Sequence, residues 1–172
     1  MQPYLKTITS VVFALTTSAA FAGAGHDDGH GDGHAAMMGQ PGDPAKADRV
    51  VEVSMTEMAF DPSNIEIMEG ETITFVVSND GEFVHEFNLG TEKMWQGHMD
   101  EMMKMMDTGM MTVDKINHDK MMQAGMMHDD ANSVLLEPGQ TAKVTWTFGE
   151  KTELGFVCNV PGHRESGMVG EI

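Results

Sequence analysis

Cysteine is almost missing from this sequence: Cys158 is the only one in 172 residues, and it has no partner within the chain. Basic residues are scarce as well. Ten Lys and Arg stand against 27 Asp and Glu, for a net charge of −17. That field disfavours nucleic acid, which requires a basic footprint, and suits metal cations and basic protein partners. A long unbroken apolar run is also lacking, so no membrane span is expected once the N-terminus is processed. The apolar stretch from about Ile8 to Ala20 is short and interrupted by Thr and Ser. With Lys6 before it and Ala20-Phe21-Ala22 after it, residues 1–22 read as a secretory signal peptide; a retained N-terminal anchor is the alternative. Removing them takes away Lys6 and no acid, leaving a charge of −18. The mature protein is expected in the periplasm, an oxidising compartment where cysteines usually pair. Cys158 is then an intermolecular disulfide, an inert buried thiol or a metal ligand.

What is present divides the chain into three further parts. Residues 23–48 are rich in Gly, Asp and His and hold no large aliphatic side chain except Met. Such a segment builds no core and reads as a flexible tail. From Arg49 the pattern has period two. Val51, Val53 and Met55 alternate with polar residues; Ile65 and Ile67 share a face, as do Ile73, Phe75 and Val77. Residues 84–90 (VHEFNLG) form another short strand. Glu137-Pro138-Gly139-Gln140 is placed for a type II turn, after which Val144, Trp146 and Phe148 alternate with Thr, and Leu154, Phe156 and Cys158 share a face. Six or seven short strands with regular turns predict an all-β fold, an antiparallel β-sandwich, over residues 49–172. Residues 94–130 interrupt it. The stretch 94–127 carries 12 methionines and few β-branched residues, so it predicts a partly helical insertion. Gly109 would end one helix, and Asp114 would cap a second that stops before Gly125. The strands lie outside the insertion, which is therefore expected to be dispensable for the sandwich.

The C-terminal run FVCNVPGHRESGM sets Cys158, His163 and Met168 at intervals of five. A trigonal copper site takes one thiolate, two imidazoles and a weak axial thioether. The loop supplies three of these, and the fourth must be an upstream histidine on another strand. His85, inside a β segment, is the candidate. Thiolate and thioether are soft donors that stabilise Cu(I), while imidazole serves both oxidation states. Ligation also accounts for an unpaired cysteine that survives oxidation. Plain packing of a Cys, a His and a Met is the competing reading, and it leaves the spacing as a coincidence.

These residues resemble the cupredoxins. FDPSNIEIMEGETITFVVSND is similar to their early strands, LEPGQTAKVTW to the turn and strand before the ligand loop, and CNVPGHRESGM to the loop itself. The resemblance covers about residues 50–90 and 134–172, and the Cys-x4-His-x4-Met spacing is similar to that of the rusticyanin and auracyanin branch. It implies a Greek-key sandwich and one type 1 copper on His85, Cys158, His163 and Met168, with His163 the more exposed imidazole, through which an electron would pass. Many members place Asn directly after the first His ligand to tie the two ligand loops together. Here that residue is Glu86, and a carboxylate cannot donate that hydrogen bond unless protonated.

Two segments add further donors. His26, His30 and His34 recur every fourth residue, with Asp27, Asp28 and Asp32 between them. Gly29, Gly31 and Gly33 oppose helix there, so a loose site for Cu(II) or Zn(II) is expected, with Met37 and Met38 nearby; a merely solubilising acidic tail is the alternative. In the insertion, Met99, Met102, Met103, Met106 and Met110 fall at helical intervals. Methionine doublets point in several directions, which favours Cu(I) capture, joined by His98, His118 and His128, over simple packing or a docking surface. The layout resembles periplasmic copper-tolerance cupredoxins. It predicts a copper-binding protein of copper tolerance, with a redox or copper-transfer protein as partner. An electron carrier between redox partners is the alternative, and a metal-free β-sandwich interaction module is a third reading. No second metal cluster or hydrolytic triad supports an enzyme, and oxidation of Cu(I) at the site is the alternative.

Overall fold

The computed structural model describes residues 38–127, 130–150 and 154–172. The expected signal peptide, His26, His30, His34, Met37 and His128 lie outside them. Strands β1 (Gly39–Pro41), β2 (Arg49–Thr56), β3 (Ala59–Asp61), β4 (Thr72–Asn79) and β7 (Thr141–Phe148) form one sheet, in the order β1-β7-β4-β2-β3. Strands β5 (His85–Gly90), β6 (Ser133–Leu136), β8 (Gly155–Val157) and β9 (Val169–Glu171) form the second, in the order β6-β5-β8-β9. Two helices, α1 (Glu92–Asp107) and α2 (His118–Ala124), lie between β5 and β6.

The alternating residues pack where period two places them. Phe75 and Phe148 from the first sheet and Phe87 and Phe156 from the second are fully buried. The rings of Phe75 and Phe87 meet across the sandwich at 5.4 Å between centroids, and Phe87 packs beside Phe156 of its own sheet at 5.2 Å. Gly139 takes φ +78°, and the Gln140 N–H donates to the Glu137 carbonyl at 3.1 Å. Positive φ at the third turn residue is what glycine permits.

Four expectations change. The sandwich is not wholly antiparallel: β2 pairs with β4 in parallel, Val53 opposite Val77. Residues 57–71 leave β2, add β3, touch the second sheet where the Ile65 N–H donates to the Glu171 carbonyl at 3.0 Å, and return. A crossover of that length permits parallel pairing, and alternation in sequence carries no strand direction. The stretch around Ile65 and Ile67 makes an isolated bridge, Asn64 with Glu171, rather than a strand. Residues 38–48, expected in the flexible tail, join the domain. β1 pairs with β7, Met38 is buried and the Trp146 indole N–H donates to its carbonyl at 3.1 Å. Backbone pairing at a sheet edge needs few apolar side chains, so composition does not reveal it.

The fourth change concerns the insertion. It is helical as expected, and Gly125 ends α2 at φ +65°. The N-cap, however, is Asn117, whose side chain accepts from the Lys120 N–H. Asp114 instead accepts from the Thr112 hydroxyl at 3.2 Å within the preceding turn. The insertion is also part of the core. Met102, Met105, Met110, Met111, Ile116 and Met121 belong to the buried cluster, so cutting out 94–130 would strip the sheet they cover.

Candidate metal centre

β5 is buried on both faces, and this double burial builds the site. The register Asn88↔Val157, Leu89↔Phe156, carried two residues further past the end of β8, sets Phe87 opposite Cys158 and Glu86 opposite Asn159. His85, Phe87 and Leu89 therefore share the inner face with Phe156 and Cys158. Glu86 and Asn88 share the outer face with Val157 and Asn159, and the insertion covers them.

On the inner face His85 and Cys158 are fully buried and His163 is 8 % exposed. One ligand atom from each lies within 4.8 Å of the others. The Nδ1 atoms of His85 and His163 are 3.1 Å apart, and His163 Nδ1 is 3.4 Å from Cys158 Sγ. Nitrogens about 2 Å and a sulfur about 2.3 Å from a shared first-row ion stand about 3 to 3.7 Å apart, so the spacing fits one metal ion. His85 Nε2 is buried without a hydrogen-bond partner among the described residues, 3.8 Å from Glu57 Oε1. A proton placed there leaves the Nδ1 lone pair turned toward Cys158 and His163.

The turn Pro161–Gly167 holds the donors of the loop. Met168 is fully buried. Its N–H donates to the His163 carbonyl at 3.0 Å, and the Cys158 N–H donates to the Met168 carbonyl at 3.2 Å. Gly162 and Gly167 adopt φ +89° and +102°, which lets the backbone reverse tightly enough to bring Met168 back beside Cys158.

Burial sets the protonation states. It pushes the Cys158 thiol up to about 12, aided by the nearby Glu86 charge and opposed by the backbone N–H groups that face the sulfur. The Glu86 N–H is one of these, 3.3 Å from Sγ. Burial, then the neighbouring His85, pulls His163 down to about 4, and burial likewise lowers His85. At neutral pH both imidazoles are therefore neutral ligands, and the thiol proton leaves when a metal binds. Two neutral imidazoles, one thiol and a thioether in a dry pocket make the donor set of one type 1 copper.

On the outer face the polar contacts gather at Glu86. Glu86 Oε2 accepts from the Asn159 N–H at 3.1 Å and from its Nδ2 at 2.8 Å, and Oε1 accepts from Asn88 Nδ2 at 3.2 Å. His98 of α1 completes the set, its Nε2 2.9 Å from Glu86 Oε1 and its Nδ1 3.2 Å from Glu101 Oε2. Burial opposes a charge on His98, but the Glu86 hydrogen bond, backed by Glu101, outweighs it and pushes the imidazole up to about 9. Glu86 thus bridges the ligand strands as an acceptor, with Asn159 donating. The sequence singles out Glu86 but not Asn159. The signal was present, since each residue directly follows a candidate donor and, in extended backbone, points to the opposite face from it.

The structure does not gather the insertion's donors into one place. Met102 and Met110 are packed in the core. Met99 and Met106 are half-buried, whereas Met103 and His118 are exposed. The inner stripe of α1 runs through Trp95, His98, Met102 and Met105, offset from the Met99–Met103–Met106 series.

Residues 47–172 match the model of the copper binding proteins of the plastocyanin/azurin family. The chain belongs to that family. This cupredoxin is 44% identical over 150 residues to the copper-resistant cuproprotein CopI of Pseudomonas aeruginosa, covering 81% of this chain and 83% of that one. It is 38% identical to the protein of the same name from Rubrivivax gelatinosus, over 98% of this chain and 95% of that one. Among solved structures, auracyanin B superposes with a TM-score of 0.53 at 16% identity, over 77% of this chain and 93% of its own. The reduced auracyanin of Roseiflexus castenholzii gives 0.51 at 21%, over 72% and 94%. These two show the shared sandwich. No helix among the described residues is long and apolar enough to cross a membrane.

Proposed function

We propose that this cupredoxin binds one copper ion through His85, Cys158, His163 and Met168 and acts in copper tolerance in the bacterial periplasm. The observation that carries the reading is the buried convergence of His85 Nδ1, His163 Nδ1 and Cys158 Sγ, in a chain similar to proteins named for copper resistance. Copper bound there supplies one-electron exchange between Cu(II) and Cu(I). The protein keeps water from the donors, steadies the sulfur with the Glu86 N–H and holds both imidazoles neutral. Rigid strands and a short loop keep the donors in one arrangement that suits either oxidation state. His163, the more exposed imidazole, is the route to a redox or copper-transfer protein partner.

Surface thioethers extend this reading. Met94, Met103, Met122 and Met127 are exposed and available to Cu(I), and His26, His30 and His34 add imidazoles that Cu(II) favours. The test uses the full-length protein in cells lacking their own copy, at matched abundance under added copper. Cys158→Ser, the fourfold replacement of the exposed methionines by Leu, and His26/His30/His34→Ala should each lower tolerance. Wild-type tolerance in all three would sink the reading. Loss of a respiratory pathway at ordinary copper levels in Cys158→Ser, with tolerance intact, would favour an electron carrier.

A further inference from the structure

The insertion touches the ligand-bearing segments at two points. His98 meets Glu86, the residue after the ligand His85. Glu92 pairs with Arg164, the residue after the ligand His163, and the Arg164 guanidinium lies over the Trp95 ring at 5.2 Å. Glu92, Trp95 and His98 are spaced three apart on α1, so one helical face reaches both ligand segments. Glu86 is 2 % exposed, and its four donors come from β5, the ligand loop and α1.

We propose that Glu86 and His98 form a positioning pair through which the methionine-rich insertion sets the geometry and redox poise of the copper centre. The proposal rests on the copper assignment of the preceding section. A buried carboxylate must be paired to be tolerated. Asn159 and Asn88 contribute neutral donors, and His98 contributes the positive charge. Copper changes from doubly to singly charged on reduction. A negative charge one residue from a ligand therefore favours Cu(II), and a positive charge held against it offsets that preference. His98 reaches the centre through Glu86, whose carboxylate it meets at 2.9 Å, and through Asn159, which donates to the same carboxylate at 2.8 Å. The burial of His98, with 12 % of its side chain exposed, keeps the pair from being screened by salt as a surface pair would be.

The charges make the test directional. Glu86→Gln removes the negative member and should raise the reduction potential of the copper-loaded protein. His98→Gln removes the positive member and should lower it. Both should alter the intensity ratio of the visible charge-transfer bands, and His98→Gln should shift the Asn159 amide resonance in the metal-free protein. A simple loss of packing would move both potentials the same way, and that outcome overturns the proposal, as do unchanged potentials. Should Glu86→Gln fail to fold, His98→Gln alone decides: a lower potential supports the pair, and an unchanged or higher one overturns it. Absence of any thiolate-to-copper band in the wild-type protein would instead sink the copper assignment and this proposal with it.

Discussion

The two faces of β5 bury histidines to opposite ends. On the inner face the Glu57 carboxylate stands 3.8 Å from His85, and burial still outweighs it and drives His85 and His163 toward the neutral form. On the outer face, His98 sits between two carboxylates, and the same burial is outweighed. Burial alone does not decide the state of an imidazole; the balance between burial and the charge facing it does. One strand thus separates a site of neutral donors, ready for a cation, from a satisfied ion pair that has no need of one. Methionine repeats the lesson. Met168 is brought to the donors by a backbone clasp, Met102 fills the outer core, and Met103 faces solvent.

Removing the inner thiol should break this contrast most severely. Cys158→Ser should abolish the intense visible band of the Cu(II)-loaded protein while leaving the β-sheet circular dichroism in place. Retention of the band would mean that the sulfur is not a ligand.

Next comes the buried part of the insertion. Met102→Ala should cost about 2–5 kcal/mol in denaturant unfolding, as other buried large-to-small changes do. A cost under about 0.5 kcal/mol would show that α1 is a loose appendage rather than part of the core.

A smaller effect should come from the outer histidine. Its folded pKa, about 9, lies above its ordinary value of 6.5. The stabilisation it provides is therefore complete below about pH 6.5 and is lost as pH rises through about 9. The metal-free wild type should lose thermal stability across that interval, and His98→Gln should lose less. Glu86 and Glu101 are the carboxylates facing His98. Equal slopes in the two proteins would remove His98 from the pair.

Smallest of all should be Met103→Ala, at 45 % exposure. Unfolding free energy should change by no more than about 0.5 kcal/mol, while Cu(I) capacity measured with a competing chelator should fall. Unaltered capacity would leave the surface thioethers without a role in capture.

Most strand positions and the clustering of the donors were legible in the sequence because both depend on local order. Period two announces a half-buried strand wherever the strand sits, and the short loop from Cys158 to Met168 keeps Cys158, His163 and Met168 together whatever surrounds it. His85 could be named because it is the histidine within a β segment away from that loop. Strand direction, the edge strand at Gly39–Pro41 and the cap at Asn117 were not legible, since each depends on a partner distant in sequence or on competition between neighbouring side chains. The methionine periodicity was visible but ambiguous: thioethers that fill a core and thioethers that wait for copper have the same spacing. Only the docking of α1 onto the outer face of β5 separates Met102 from Met103, because burial is a property of what lies opposite. The same docking turns Glu86, in sequence a mere departure from the family pattern, into the acceptor at the centre of four donors. The chain order thus determined which donors the protein has, and the packing of two remote segments decided which charges those donors face.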